Sequence, residues 1–237
     1  MRDTMYRTCL GILLSIVIAV PSFPQPQQQP TPQPDRVVVI SFFAPIIGPS
    51  VNQLLMVVNQ QVAQGAHKIT LLISSPGGDT ASAFTAYNFL RGLQGVQFTT
   101  FNVGNVDSAA MLLYCAGKNR YSLPGPTRFL IHGNSLTIPS NMPMDALTLE
   151  AQLQQLKSLN QMVIQAVASA SNKKQVEIEN AVKGQVILTP EQAKEWGLVQ
   201  EIKKDFIEPG VVPIQVSIDL PIPSGPPKTF EFSSATP

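Results

Sequence analysis

Apolar and polar positions in the middle of the chain predict strands that alternate with helices. Three segments carry apolar residues at helical spacing, 48–65, 80–93 and 109–116. Short apolar runs bounded by turn residues are typical of buried strands, and four flank these helices: RVVVISFFA, HKITLLISS, VQFTTFNV and RFLI. The turn GNVDS follows the third strand. Strands joined through helices need right-handed crossovers, so the sequence predicts an α/β fold with a mostly parallel sheet.

The C-terminal third predicts one long helix and one edge strand. Between Met144 and Ala170, apolar residues recur at steps of three or four: Leu149, Leu153, Leu156, Leu159 or Asn160, Val163 and Val167. The polar face of this helix is mostly uncharged, which suits an interface; the alternative is an ordinary amphipathic helix packed on its own sheet. Further on, apolar residues alternate from Val212 to Ile218, which predicts an edge strand.

The N-terminus has the order of a secretory signal peptide. Arg2 and Arg7 precede the apolar run 9–20, and Pro21 and Ser22 follow it. A membrane-spanning helix needs roughly 17 to 25 apolar residues, so this run predicts a cleaved leader over residues 1–22, with an uncleaved membrane anchor as the alternative. The protein is therefore expected to be secreted or periplasmic.

Proline divides the remaining chain into three parts. Of 21 prolines, six fall between Pro21 and Pro34 and seven between Pro209 and Pro237. Proline-rich segments stay extended and do not pack a core. The sequence thus predicts a Pro/Gln-rich linker over 23–35, a folded domain over 36–207 and a Pro-rich tail over 208–237.

Charge and cysteine content exclude several functions. Sixteen basic and fifteen acidic residues give a net charge of +1, which provides no field for nucleic acid. Of the two cysteines, Cys9 lies in the N-terminal apolar run and Cys115 in the body, so neither a disulfide framework nor a cysteine-cluster metal site is expected. No metal or other cofactor is predicted.

Three strand ends carry the residue types that acyl transfer needs. The carboxyl ends of parallel strands meet at one edge of a sheet, where ligands bind. Gly77 and Gly78 follow one strand, Ser108 the next and His132 a third. Taken singly, these are more often a turn, a helix cap and a structural histidine. Together they offer backbone amides for an oxyanion, a nucleophilic hydroxyl and a general base.

The same segments resemble a known family. The runs LLISSPGGDTASAFTAYNFLRGL, VGNVDSAAMLLYCAG, RFLIHGNS and LTPEQAKEWGLVQEI are similar, in order and in near-matching spacing, to the proteolytic subunit of the Clp protease. This resemblance implies a crotonase-like fold, with repeated β-β-α and βαβ units and a projecting long helix. It also implies homo-oligomeric rings that cleave peptides or unfolded proteins, with Ser108 as nucleophile, His132 as general base and the Gly78 and Ala109 amides as oxyanion hole.

The chain departs from the family at the third member of the catalytic triad. A gap-free match puts Ala181 where the family has an orienting aspartate. Asn180 is the candidate replacement, and Glu179 is a weaker one. A catalytically weak or inactive Clp-like ring subunit, which scaffolds or binds peptides, is therefore an alternative function. The acyl-CoA chemistry of the wider crotonase group is a third hypothesis, weakened because those enzymes do not require this serine and histidine.

The predicted leader changes the expected partners. The family usually receives its substrates from an ATP-driven unfoldase in the cytoplasm, and ATP is not expected outside the membrane. The sequence therefore predicts an extracytoplasmic serine endopeptidase that works without an ATPase partner.

Overall fold

The structure is a computed structural model that describes residues 36–138, 145–207, 212 and 214–218. These residues belong to one unit, 34–237. The predicted leader and linker, and most of the predicted tail, lie outside the described residues. In the ranges just given, no helix is long and apolar enough to cross a membrane.

A single sheet of eight strands lies at the centre of the described part of the chain. The strands are β1 (Val37–Phe42), β2 (Lys68–Ser75), β3 (Gln97–Asp107), β4 (Asn119–Ser122), β5 (Arg128–Ile131), β6 (Val186–Leu188), β7 (Glu201–Ile202) and β8 (Ile214–Ser217). The main order is β6-β5-β3-β2-β1-β8, and β4 pairs with β3 and β7. Neighbouring strands are parallel except for β5 and β6, which confirms the predicted α/β class and mostly parallel sheet.

Six helices accompany the sheet in the described ranges: α1 (Gly48–Ala63), α2 (Thr80–Arg91), α3 (Ala110–Cys115), α4 (Ala146–Ser169), α5 (Gln175–Gly184) and α6 (Pro190–Glu195). The three predicted helices of the first half are confirmed as α1, α2 and α3, and α2 ends two residues before the predicted Leu93. The Asp79 carboxylate caps α2 by accepting from the Ser82 amide at 2.7 Å.

The segment before Ser108 differs from its prediction. The sequence predicts a turn over GNVDS, but β3 continues through it to Asp107. The reason is a change of partner along β3, whose first half pairs with β4 and whose last three residues, Asn105–Asp107, pair with β5. A sheet neighbour thus keeps this polar stretch extended, which local sequence does not reveal.

The buried core lies between the sheet and its helices. Every residue of α3 is buried, including Cys115, whose pKa desolvation raises to about 12. Leu54 and Val58 of α1 and Ala83 and Leu90 of α2 are buried as well. The helical faces predicted from spacing therefore pack into the core, and Cys115 is a core residue as expected.

The long helix is buried only at its C-terminal end. The buried residues of α4 are Val163, Ile164, Ala166 and Val167, whereas Leu147, Leu149 and Leu153 are at least half exposed. The predicted apolar stripe therefore packs on the domain over one part of its length. The edge strand predicted in the tail is confirmed as β8, which pairs with β1 in parallel.

Candidate functional site

The three strand ends selected from the sequence meet at one cavity. Gly78, Ser108 and His132 all line a space of about 280 Å³ at the carboxyl edge of the sheet. The opposite wall consists of one face of α4 and the segment after β5: Gln152, Gln155, Leu156, Leu159, Asn134, Ser135 and Leu136. A hydroxyl, an imidazole and a glycine turn thus face a space large enough for a peptide side chain.

Ser108 has a backbone conformation that favours a functional role. Its φ is +56°, in the left-handed region that residues with a side chain seldom adopt, at a cost of about 1–3 kcal/mol. The Ser108 amide donates to Leu130 O at 2.9 Å, and the Ser108 carbonyl accepts from the Met111 amide at 3.0 Å. The cap position of α3 is Ala109, with no side-chain hydrogen bond. Ser108 is therefore not an ordinary helix cap.

An ion pair beneath Ser108 joins the strands that carry the serine and the histidine. The buried Asp107 carboxylate accepts from the Arg128 guanidinium at 2.7 Å and from the Asn105 amide group at 3.0 Å. Arg128 begins β5, which ends immediately before His132. These bonds link the end of β3 to the start of β5 and support the pairing of the two strands that precede Ser108 and His132.

The glycine turn lies directly against the serine. Gly77 and Gly78 have φ of +85° and +144°, and a Cβ added at Gly77 would lie 2.7 Å from Ser108 Cβ and 3.0 Å from Ala109 N. The turn is held by Ile46, whose amide donates to Gly77 O and whose carbonyl accepts from the Asp79 amide, both at 2.8 Å. The Gly78 and Ala109 amides therefore belong to two loops in contact.

His132 is half-buried, and one nitrogen of its ring has a backbone partner. Its Nδ1 lies 2.7 Å from the Gly133 carbonyl oxygen. Because a carbonyl only accepts, a neutral ring bonded in this way carries its proton on Nδ1 and leaves Nε2 as the base. Among the described residues, no hydrogen bond joins the Ser108 hydroxyl to the His132 ring, although both line the cavity. Hydrogen bonds between catalytic residues often shorten only when substrate binds.

The structure shows no hydrogen bond between His132 and Asn180, the predicted third member of the triad, within the described ranges. Asn180 is an exposed residue of α5. Glu179 accepts from Lys183 at 2.7 Å, and Ala181 is buried. Asn180 therefore stays a prediction, while the structure gives Nδ1 of His132 a backbone partner.

Three polar residues beside the site, Thr80, Asn134 and Asn160, were not predicted from the sequence. Asn134 lies two residues after His132, and its amide donates to Asn160 Oδ1 at 2.7 Å. Thr80, in the first turn of α2, donates to the Asn134 side chain. The sequence does contain one indication for Asn160. The apolar spacing of α4 passes through Leu159 or Asn160, and a polar residue on that helical face needs a hydrogen-bond partner.

The charge in the cavity comes from Asp79. Hydrogen bonds from the Ser82 hydroxyl, and then from the Ser82 amide, lower the pKa of the Asp79 carboxyl, so it is anionic at neutral pH. A negative charge there disfavours acidic substrate side chains. Within the described ranges, no group of three or more His, Cys, Asp or Glu residues could hold a metal ion.

The fold and the cavity define an α/β protein with a serine and a histidine at the carboxyl ends of parallel strands. The family model described as Clp protease matches residues 46–205, more than half of the chain. The chain therefore belongs to the Clp protease family.

Relatives with the same family name are distant. The ATP-dependent Clp protease proteolytic subunit 1 of Tropheryma whipplei (strain Twist) is 28% identical over 152 residues, which are 63% of this chain and 70% of the relative. The corresponding subunit 2 of Corynebacterium jeikeium (strain K411) is 29% identical over 136 residues, 56% of this chain and 63% of the relative. The resemblance stated from the motifs is confirmed.

Proposed function

We propose that this chain is an extracytoplasmic serine endopeptidase that cleaves peptides or unfolded proteins. The observation that carries the proposal is that Ser108, His132 and Gly78 line one cavity. The left-handed backbone of Ser108 adds support, because strained nucleophile turns recur at hydrolase sites.

The proposed mechanism proceeds through an acyl-enzyme. The Ser108 oxygen attacks the peptide carbonyl carbon while Nε2 of His132 takes the hydroxyl proton. The Gly78 and Ala109 amides donate to the carbonyl oxygen as it becomes negative. Nε2 then gives its proton to the leaving nitrogen as the C–N bond breaks, and a water molecule releases the acyl group by the same steps.

Labelling with a fluorophosphonate probe tests this proposal, because the probe reacts with activated serines. The wild-type protein should be labelled at Ser108, and the Ser108→Ala variant should not react. Ser135→Ala is the matched control, since Ser135 lines the same cavity and its variant should react like wild type. Mass spectrometry of the labelled peptide locates the reaction, and a folded wild-type protein that is not labelled would refute the activated serine.

A catalytically weak or inactive subunit is the second candidate function. It is favoured by Ala181 at the place of the family's aspartate and by the neutral partner of the His132 ring. Loss of an orienting carboxylate costs about 10⁴-fold in turnover in a well-studied serine protease. Peptide binding without cleavage or labelling would support this second function.

The location and the partners rest on the sequence of the N-terminus. The predicted leader, which lies outside the described residues, supports a secreted or periplasmic protein, with a membrane-anchored form as the alternative. Because ATP is not expected there, we propose that the protein acts without an ATPase. Isolation of the native protein in a cytosolic complex with an ATPase would contradict this.

Assembly into a homo-oligomeric ring is proposed from the exposed half of α4. Leu149 and Leu153 are 51% and 50% exposed on a helix with little charge. Leu153→Glu should lower the oligomeric mass in analytical ultracentrifugation, because a charge in an apolar contact is costly to desolvate. Gln154→Glu, an exposed neighbour, is the matched control and should keep the wild-type mass. An unchanged mass for both variants would remove this helix from the interface.

A further inference from the structure

The peptide group between Gly133 and Asn134 is hydrogen-bonded through both its C=O and its N–H. The carbonyl of this group is Gly133 O, which accepts from His132 Nδ1 at 2.7 Å. Its N–H is the Asn134 amide, which donates to Asn160 Oδ1 at 2.7 Å. A peptide group is planar, so fixing its N–H also fixes the direction of its C=O. Asn160 therefore sets where the acceptor of the His132 proton points.

Asn160 is itself held by a second bond. Its Oδ1 also accepts from Asn134 Nδ2 at 2.9 Å, and Asn134 Oδ1 accepts from the Thr80 hydroxyl. Thr80 lies in the loop-to-helix segment that also contains Gly78. The network thus connects the long helix α4, the segment after β5 and the glycine turn, which are the three walls of the cavity.

We propose that Asn160 is the positioning residue of this site and that the Gly133–Asn134 peptide takes the place of the triad carboxylate. The inference rests on the proposed peptidase function. The chain of bonds runs from Asn160 Oδ1 through the peptide to His132 Nδ1, and each hydrogen bond polarises the next. The peptide keeps the proton on Nδ1, leaves Nε2 as the base and stabilises the imidazolium that forms during acyl transfer.

The arrangement also explains how the site tolerates Ala181. Ala181 and Val182 belong to α5, and a Cβ at Gly133 would lie 3.5 Å from Val182 Cγ1. The segment after His132 therefore packs against an apolar part of α5, in the region where the family has its aspartate. A neutral carbonyl acceptor avoids the desolvation cost that a buried carboxylate would have in such surroundings.

Two substitutions of Asn160 separate positioning from structure. Asn160→Asp keeps an acceptor for the Asn134 amide and should retain wild-type kcat within a few fold. Asn160→Leu removes the acceptor and should lower kcat at least about 10-fold, a smaller loss than the roughly 10⁴-fold of a removed triad carboxylate. KM should change little, because Asn160 is not a lining residue of the cavity. Gln154→Leu, on the exposed face of α4, is the matched control.

The tautomer of His132 gives a readout that does not depend on activity. The chain contains two histidines, so ¹⁵N spectra of the ring nitrogens are assignable with His67→Gln. The wild-type protein and Asn160→Asp should show the neutral His132 ring protonated on Nδ1, and Asn160→Leu should show a mixture of tautomers. An unchanged tautomer and kcat in Asn160→Leu would overturn the proposal.

The outcomes distinguish this inference from the proposed function. A wild-type protein that is not labelled at Ser108, but whose Asn160→Leu variant loses the Nδ1 tautomer, would refute the function and leave the positioning role supported. A labelled wild-type protein whose Asn160→Leu variant has full activity would refute the positioning role alone. If Asn160→Leu does not fold, Asn160→Asp decides, because a folded Asn160→Asp variant that has lost the Nδ1 tautomer contradicts the proposal.

Discussion

Replacement of His132 by alanine is expected to lower the kcat of peptide cleavage by about 10²–10⁴-fold, the usual contribution of a positioned general base. The ring lines the same cavity as Ser108, and its Nδ1 is bonded to Gly133 O, so Nε2 is the nitrogen able to take the serine proton. Without the ring, the Ser108 hydroxyl loses the imidazole proposed to take its proton. The measurement is kcat on a fluorogenic peptide, with fluorophosphonate labelling in parallel.

His67→Ala is the matched control for this variant. His67 precedes β2, whereas His132 follows β5, so the two histidines lie at opposite ends of their parallel strands. His67 Nδ1 bonds to the Gly65 carbonyl at 3.2 Å. The His67→Ala variant should keep the wild-type kcat and labelling. Equal losses in both variants would indicate a general loss of stability, and full activity in His132→Ala would exclude His132 as the base.

Much of the fold could be predicted from the sequence, because buried parallel strands and amphipathic helices differ in the spacing of their apolar residues. RFLI predicts a strand that ends at His132, and β5 ends at Ile131. The extension of β3 to Asp107 could not be predicted, since it depends on pairing with β5, a strand that comes later in the chain. Local patterns specify which segments are strands, and pairing in three dimensions specifies how far each strand extends.

The meeting of the predicted site residues at one cavity could be predicted for the same reason, whereas the hydrogen bonds around them could not. Ser108, His132 and Gly78 each follow a strand, so the topology of a parallel sheet brings them together. Asn160 lies in α4, apart from them in sequence, and the group that it binds is the backbone amide of Asn134. A hydrogen bond to a backbone group has no signature in residue type, so the sequence predicts only side chains, such as Asn180, as replacements for the missing carboxylate.

The proposed oxyanion hole depends on the contact between two loops as well as on the glycine turn itself. Ile46 holds the turn from one side and Ser108 adjoins it on the other, so the Gly78 amide has little freedom to adjust. Donors fixed before the reaction need no reorganisation when the carbonyl oxygen becomes negative. Any substitution that separates the turn from residues 107–109 should therefore reduce catalysis more than folding.

Gly77→Ala tests the contact between the glycine turn and residues 107–109. It should lower kcat by about 10²–10³-fold, the loss seen when one oxyanion donor is removed. A Cβ at this position would lie 2.5 Å from Asp107 O and 2.7 Å from Ser108 Cβ. Asp107 is held by its pairing with β5, and Ser108 by the hydrogen bond from its amide to Leu130 O. The two loops must move apart, which separates the Gly78 and Ala109 amides. KM should rise less than kcat falls, because the amides act mainly on the transition state.

Gly65→Ala separates this clash from backbone strain. Gly65 has φ of +88°, close to the +85° of Gly77, but a Cβ added there meets no atom within 4 Å. The left-handed backbone should cost each variant about 1–2 kcal/mol of stability, measured by urea denaturation, and the clash should add to this cost in Gly77→Ala alone. Because the strain is matched, only the clash at Gly77 should lower kcat and fluorophosphonate labelling. Equal activity of the two variants would mean that the glycine turn contributes no oxyanion donor, and the Ala109 amide would then act without Gly78.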